Sequence, residues 1–275
     1  MSTFGARLRA ATSQHGPLCA GLDPHASLLE QWGLGDDLDG LRRFTDTVVE
    51  AFAGQVAVVK PQSAFYERFG AAGVLVLEDA IRNLRAAGTL VLLDVKRGDI
   101  GSTAQAYADA YLRTDAPMAV DAITASPYLG FGSVLPMIET ARANDAGVFV
   151  LALTSNPEGR QVQHARTDSG STVAGEMLAS LAALNQGAEP LGSFGAVVGA
   201  TIQPTDEDLR INGPLLAPGI GAQGGTLESV RQVFGDAVGN VLPASSREIL
   251  SAGPGVAAVR AAAHAAAESF AALQA

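Results

Sequence analysis

Short apolar runs recur along the chain, and segments with helical spacing lie between them. The runs are rich in branched side chains, which is typical of strands buried on both faces of a parallel sheet. Regular alternation of such strands with helices favours a single-domain (β/α)8 TIM barrel of the α/β class. A doubly wound open sheet is the alternative, because the seventh and eighth runs are weak. The predicted strands are 17–23, 55–60, 89–96, 119–124, 147–154, 194–201, 215–220 and 240–243.

Between the strands, apolar residues return at the spacing of a helix face. In the predicted helix 38–53 this face contains Leu41, Phe44 and Val48. The polar stretch 158–170 is expected to form a surface excursion. No Pro/Ser-rich linker divides the chain, so we expect one domain over 1–275 with an N-terminal helix and an Ala-rich C-terminal helix. The remaining predicted helices are 4–14, 71–87, 103–113, 131–144, 171–185, 206–211, 226–234 and a last one from residue 256.

Charged residues gather where the third apolar run ends, in the segment LVLLDVKRGDIGST. Side chains alternate across a strand, so Asp94 and Lys96 are expected on one side of it, and Asp99 follows just past the strand end. Charge is costly at the mouth of a buried strand, which marks this cluster as a candidate site. The alternative interpretation is that these charges form a structural ion pair at the strand end.

The basic residues of the chain are almost all arginines. Only Lys60 and Lys96 are lysines among 18 basic residues, and both stand at or after apolar runs. An ammonium can release its proton at a usable pH, whereas a guanidinium cannot. The two lysines therefore indicate a need for an ammonium at two neighbouring strand ends.

In a (β/α)8 barrel the chemistry belongs at the carboxyl ends of the strands. The loops after the seventh and eighth strands, GIGAQGG and ASSR, are expected to bind phosphate, because glycines expose backbone N–H groups and Arg247 offers a forked cation. The candidate residues at this end of the barrel are Asp23, Lys60, Asp94, Lys96, Ser155, Gln223 and Arg247.

The net charge of −10 and the pI of about 4.8 argue against a general nucleic-acid binder or a binder of acidic membranes. No stretch is long enough to span a bilayer, and residues 1–16 lack the apolar core of a signal peptide. The single Cys19 excludes an internal disulfide and is expected to be a packed thiol. We therefore expect a cytoplasmic protein.

The segment DVKRGDIGST resembles the Asp-x-Lys-x-x-Asp-Ile signature of the orotidine 5′-phosphate decarboxylase family, in its second bacterial subfamily (type 2). GLDPH, VVKPQSAFYERFG, TSNP, PGIGAQGG and the final SSR are similar to that family too, so the resemblance covers residues 21–247. It implies a barrel that works as a homodimer without a metal or organic cofactor. The implied reaction converts orotidine 5′-monophosphate to uridine 5′-monophosphate and CO₂, the last step of pyrimidine synthesis.

The resemblance also implies roles for four catalytic residues. Lys96 is the proton donor to the ring carbon that loses CO₂, and Asp94 lies beside the substrate carboxylate. Lys60 belongs to the same charged network around the ribose. Asp99 is expected to reach into the site of the partner subunit.

Further residues are implied to bind the substrate, which is a nucleoside monophosphate. Asp23 would join the network around the ribose, and Thr103 would reach the site of the partner subunit with Asp99. Ser155 would contact the pyrimidine. The phosphate region would be bound by Gln223 and Arg247, assisted by either Ser245 or Ser246.

Other functions are also consistent with these residues. Related barrels use a similar Asp-x-Lys cluster with Mg²⁺ to decarboxylate keto-sugar phosphates. A lysine aldolase is less favoured, because carboxylates on both sides favour the ammonium form of Lys96 over the nucleophilic amine. From a different class, a catalytically silent phosphate-binding scaffold or a dimeric interaction module would keep the fold without the reaction.

Overall fold

Eight parallel strands close into a barrel in the order of the sequence, in a computed structural model that describes residues 2–220 and 224–273. The barrel closes because β1 pairs with β8, with Ala20 opposite Ser245. The predicted (β/α)8 barrel is confirmed, and the doubly wound alternative is wrong. The strands are β1 Cys19–Leu22, β2 Val58–Pro61, β3 Leu90–Arg97, β4 Ala122–Ala125, β5 Gly147–Leu153, β6 Phe194–Val198, β7 Leu215–Pro218 and β8 Val241–Ser245.

Helices cover the outside of the barrel and join the strands. Three short 3₁₀ segments lie at Phe131–Val134, Pro157–Gly159 and Gly235–Asn240. The α-helices are α1 Phe4–His15, α2 Ala26–Gln31, α3 Leu38–Phe52, α4 Ala64–Glu67, α5 Gly70–Ala86, α6 Gly101–Leu112, α7 Leu135–Ala143, α8 Arg160–Gln163, α9 Val173–Leu184, α10 Leu227–Phe234, α11 Arg247–Leu250 and α12 Val256–Ala271.

Alternation along the strands divides the core into two parts. On β3, Leu92 packs with residues from the other strands inside the barrel, whereas Val91 and Leu93 pack in the larger cluster that includes the helices. The same alternation places Val58 of β2 and Cys19 of β1 inside the barrel. Side chains two residues further along each strand point to the same side and therefore face the opening at the carboxyl end of the barrel.

The helix α1 closes the opposite end of the barrel. The Phe4 ring meets Phe149 edge-on, at 6.1 Å between ring centroids. A Cβ at Gly147, the first residue of β5, would lie 2.4 Å from the Phe4 ring, so the close packing requires glycine there. Arg7 binds Asp121 at 2.6 Å just before β4. The N-terminal helix thus covers the amino ends of the strands and leaves the carboxyl ends open.

The predicted helix 206–211 is wrong. Asp208 Oδ1 accepts a hydrogen bond from the backbone N–H of Arg210 at 3.0 Å, and Thr205 Oγ1 accepts one from Glu207 N at 3.2 Å. Such local bonds offer the backbone an alternative to helical hydrogen bonds. The segment is therefore irregular, with a bend at Glu207.

Two other segments differ in detail from the prediction. The predicted helix 131–144 begins as a 3₁₀ turn before α7, and the excursion 158–170 contains the short helix α8. No helix in the described part of the chain combines the length and the apolar character needed to cross a bilayer.

Candidate active site

A cavity of about 420 Å³ opens at the carboxyl ends of the strands. It brings together six of the predicted site residues, which the sequence separates widely. The cavity lies at the end of the barrel where (β/α)8 enzymes have their active sites. These six lining residues are Asp23, Lys60, Asp94, Lys96, Ser155 and Arg247.

Asp94 is the centre of a hydrogen-bonded cluster in this cavity. Its Oδ1 accepts from Lys96 Nζ at 2.6 Å and from Thr124 Oγ1 at 2.8 Å. Its Oδ2 accepts from Lys60 Nζ at 3.1 Å and from Gln62 Nε2 at 3.2 Å. One carboxylate thus joins two ammonium groups and ties together residues from β2, β3 and β4.

The charges of this cluster stabilise one another. Burial acts to raise the pKa of Asp94, but the ammonium groups of Lys60 and Lys96 and two hydrogen bonds outweigh it, so the pKa lies well below its ordinary value. Burial likewise acts to lower the pKa of Lys60, and the carboxylates of Asp23 and Asp94 outweigh it and raise that pKa. At neutral pH the site therefore contains a fixed anion between cations.

Lys96 has an unusual backbone conformation, with φ of 44°. Between Leu93 and Arg97, β3 advances four residues while β4 advances two, from Ile123 to Ala125, so β3 bulges around Lys96. The bulge is held by a hydrogen bond from Lys96 N to Thr124 Oγ1 at 2.9 Å. Left-handed backbone is costly for a residue with a Cβ, and such strain concentrates at functional sites.

This strain predicts an unusual order of stability for two variants. A left-handed residue with a Cβ costs about 1–2 kcal/mol, and the extra freedom of glycine in the unfolded chain offsets up to about 1 kcal/mol of that. We therefore expect Lys96→Gly to be more stable than Lys96→Ala by about 0.5–1 kcal/mol in urea unfolding. Lys60 provides the matched control, because it lies in regular β2 and outside the described left-handed positions. There the alanine variant should be the more stable one, and the same order at both lysines would contradict the strain.

Two side chains that line the cavity each have one buried polar atom without a hydrogen-bond partner among the described residues. The two atoms are Asp23 Oδ1 and Ser246 Oγ. Gly21 leaves room for both side chains, because a Cβ at position 21 would lie 2.4 Å from Ser246 Cβ and 3.1 Å from Asp23 Oδ2. Buried polar groups normally find partners, so a polar ligand suits this part of the cavity.

Three further lining residues were not predicted as site residues. Gln62, His25 and Phe65 all line the cavity, and the His25 ring lies 4.2 Å from the Phe65 ring between centroids. Burial is the main cause that lowers the pKa of His25, and it prevails over the opposing effect of Asp23. Gln62 could have been found from its position, because it follows Lys60 by two residues and thus has the same direction.

Two predicted residues, Asp99 and Thr103, do not line the cavity. The Asp99 carboxylate accepts a bond from Ile100 N at 2.8 Å, and Thr103 is exposed on α6. Gln223 lies outside the described residues. Cys19 is buried, and desolvation raises the pKa of its thiol to about 12, as expected for a packed thiol.

Comparison with known proteins identifies the family. The family model described as orotidine 5′-phosphate decarboxylase / HUMPS matches residues 16–262. The chain belongs to this family. The resemblance read from the motifs is therefore confirmed, and the Lys60–Asp94–Lys96 cluster is the charged centre of an orotidine 5′-phosphate decarboxylase / HUMPS barrel.

Similar proteins carry the first of the two names in the family description. An orotidine 5′-phosphate decarboxylase of Salinispora arenicola is 63% identical over 264 residues, covering 96% of this chain and 95% of that protein. One of Nocardioides sp. is 66% identical over 253 residues, covering 91% and 92%. A crystal structure from Streptomyces avermitilis, provisionally given the same name, has a TM-score of 0.97 at 60% identity and covers 100% of this chain and 96% of that chain.

Proposed function

We propose that the protein is a carboxy-lyase that converts orotidine 5′-monophosphate to uridine 5′-monophosphate and CO₂ in pyrimidine biosynthesis. The observation that supports this most strongly is the contact of Lys96 Nζ with Asp94 Oδ1 at 2.6 Å inside the cavity. Relatives named orotidine 5′-phosphate decarboxylase at 61–66% identity support the same reaction.

The proposed reaction needs an acid where a carbanion forms. When the bond to the carboxylate carbon breaks, CO₂ departs and the electron pair stays on the ring carbon. The Lys96 ammonium stabilises this charge and then gives its proton to the carbon, which leaves a neutral amine. The Lys96 side chain is 45% exposed, so water can return a proton to it between turnovers.

Asp94 has two effects in this scheme. Its carboxylate holds the Lys96 ammonium in place, which pre-organises the donor. Beside the carboxylate of the substrate it is also an unfavourable neighbour in the ground state, and that repulsion disappears as CO₂ leaves. Lys60, with only 10% of its side chain exposed, keeps the Asp94 carboxylate charged.

The rest of the nucleotide would occupy the far side of the cavity. Asp23 Oδ1 and Ser246 Oγ are suited to the polar groups next to the ribose, because both are buried and lack partners among the described residues. Ser246 rather than Ser245 continues the inward-facing series of β8, which includes Leu242 and Ala244. The exposed Arg247 would bind the phosphate at the rim.

We further propose a homodimer in which Asp99 and Thr103 complete the site of the partner subunit. Both lie outside the cavity of their own chain, next to exposed apolar side chains. Ile100 is 63% exposed, and Tyr128, on the neighbouring loop, is 76% exposed. The two loops are joined by a bond from Ser126 N to Arg97 O at 2.8 Å. An apolar surface beside two unused polar side chains suits a second copy of the chain.

Shared sites predict that two inactive variants restore activity when mixed. In a hybrid dimer of Lys96→Ala and Asp99→Ala chains, one site carries both changes and the other carries neither. Random exchange makes about half of the dimers hybrids, so an equimolar refolded mixture should recover about a quarter of the parent activity. The matched mixture of Lys96→Ala with Lys60→Ala should recover none, because both residues serve the site of their own chain. Equal behaviour of the two mixtures would contradict the sharing of sites.

The reaction itself is tested by following the absorbance of orotidine 5′-monophosphate after adding the protein. We expect a loss of absorbance that continues in the presence of a metal chelator. A chelator-sensitive reaction would favour the Mg²⁺-dependent decarboxylase of keto-sugar phosphates, and trapping of the substrate by borohydride would favour an aldolase. An unchanged absorbance would favour the hypothesis of a catalytically silent phosphate-binding scaffold.

A further inference from the structure

The loop that follows β5 is held by a side-chain clamp from α8. The amide of Gln163 makes two hydrogen bonds to one residue: Oε1 accepts from Thr154 N at 2.9 Å, and Nε2 donates to Thr154 Oγ1 at 2.7 Å. A backbone N–H can only donate, so the amide must present its oxygen to it. The clamp thus joins a short helix in the polar excursion to the end of a barrel strand.

The hydrogen bonds continue along the loop on both sides of Ser155. Thr154 Oγ1 donates to Asn156 Oδ1 at 2.6 Å, and Asn156 Nδ2 donates to Glu158 Oε2 at 3.1 Å. Both chain neighbours of Ser155 are therefore fixed by side-chain bonds. The Ser155 side chain itself makes none among the described residues and remains available to a ligand.

Two glycines leave the space that this arrangement needs. A Cβ at Gly159 would lie 2.8 Å from Thr154 Oγ1 and 2.9 Å from Gln163 Nε2, so it would push into the clamp. A Cβ at Gly199 would lie 3.1 Å from Ser155 N on the other side of the loop. The loop is thus closely packed between α8 and the residue after β6.

The clamped loop is also the wall between two cavities. Thr154, Ser155 and Asn156 line both the active-site cavity and a neighbouring cavity of about 1140 Å³, which is lined in part by the segment that carries α8. The loop therefore has a cavity on each of two faces, and its position there depends on the bonds within it, on the clamp and on its packing beside Gly159 and Gly199.

We propose that Gln163 is a positioning residue that sets where Ser155 stands in the active site. The inference rests on the proposed function and on the role that the family resemblance implies for Ser155, which is contact with the pyrimidine. Without the amide, Thr154 N loses its partner and the loop can shift toward the larger cavity. A displacement of about 1 Å in a positioning group can cost up to about 100-fold in rate, so the clamp matters for turnover.

A double-mutant cycle with Ser155 tests this dependence. We expect Gln163→Leu to lower kcat/KM for orotidine 5′-monophosphate by about tenfold or more in the parent chain. In the Ser155→Ala background the same change should have less than about a twofold effect, because the group that it positions is gone. Gln163→Glu keeps the acceptor for Thr154 N and should restore most of the loss.

Gln161→Leu is the matched control. It makes the same replacement on the same helix, at an exposed residue that has no side-chain hydrogen bond among the described residues. It should keep the parent kcat/KM. Thermal unfolding of all variants shows whether a loss of activity follows a loss of fold, whereas the dependence on Ser155 distinguishes positioning from a general structural role.

Each other outcome is decisive. An equal loss in both backgrounds, no loss on Gln163→Leu, or no effect of Ser155→Ala would overturn the positioning role while the activity of the parent chain leaves the proposed function intact. A parent chain that does not consume orotidine 5′-monophosphate would overturn the proposed function and this inference together, and that result is seen before any variant is made.

Discussion

Replacing Lys96 by alanine is expected to reduce kcat by at least about 10⁴-fold, which corresponds to about 5.5 kcal/mol of transition-state stabilisation. A positioned acid contributes about 10²–10⁴-fold, and a preorganised charge at the developing anion contributes about 10²–10³-fold. Both effects are lost together, because one ammonium supplies them. Single-turnover measurements of uridine 5′-monophosphate formation would show the loss in the chemical step itself.

The fold should survive this change. Asp94 keeps hydrogen bonds from Lys60, Gln62 and Thr124 when Lys96 is removed, so its charge stays compensated. Binding of uridine 5′-monophosphate to the variant would confirm an intact cavity. Lys96→Arg separates the two effects, because the guanidinium keeps the charge and cannot release its proton. Activity of the alanine variant within tenfold of the parent, about 1.4 kcal/mol, would contradict the role of Lys96.

Replacing Arg247 by alanine is expected to lower kcat/KM by about 10²–10³-fold, with a higher KM and a lower kcat. Arg247 is exposed at the rim and forms no salt bridge within the described residues, so its guanidinium is available to a phosphate. Two parallel bonds from a guanidinium to an anion contribute about 3–4 kcal/mol together. In the proposed reaction the phosphate is remote from the reacting carbon, and its binding energy would hold the pyrimidine against the charged cluster.

Steady-state kinetics of two further variants serve as comparisons for Arg247→Ala. Arg247→Lys keeps the charge without the fork and should fall between the parent and the alanine variant. Arg113→Ala removes another exposed arginine, which pairs with Asp115 at 2.9 Å far from the cavity, and should leave both constants unchanged. If Arg247→Ala alters neither KM nor kcat, the phosphate is bound elsewhere.

The barrel and its charged cluster could be predicted because their signals are local. Leu90 to Leu93 form an unbroken apolar run, and the charges begin at once with Asp94, so strand and site are adjacent in the sequence. Side chains two residues apart on a strand point to the same side, so the inward direction of Val58 predicts that of Lys60. The periodicity of the apolar runs and the positions where the strands end are therefore enough to place these groups together at the carboxyl end of the barrel.

The left-handed turn at Lys96 could not be predicted, because no glycine or asparagine marks it. It depends on Thr124 of the neighbouring strand, whose hydroxyl binds both Lys96 N and Asp94. The clamp of Gln163 is similar, since its partner Thr154 is recognised only when the path of the excursion is known. The wrongly predicted helix at 206–211 has a different cause. There the side chains of Thr205 and Asp208 accept hydrogen bonds from nearby backbone N–H groups, which replace helical hydrogen bonds.

The pairing of Ala20 with Ser245 joins the first strand of the barrel to the last. A ribosome releases Lys60, Asp94 and Lys96 before Arg247, so a nascent chain contains the charged cluster before it contains the arginine that we propose to bind the phosphate. In the proposed function, a nucleotide finds its complete site only in a molecule whose last strand has paired with its first. Because a ligand stabilises the state that binds it, we expect a bound nucleotide to stabilise molecules with a complete barrel over incomplete ones.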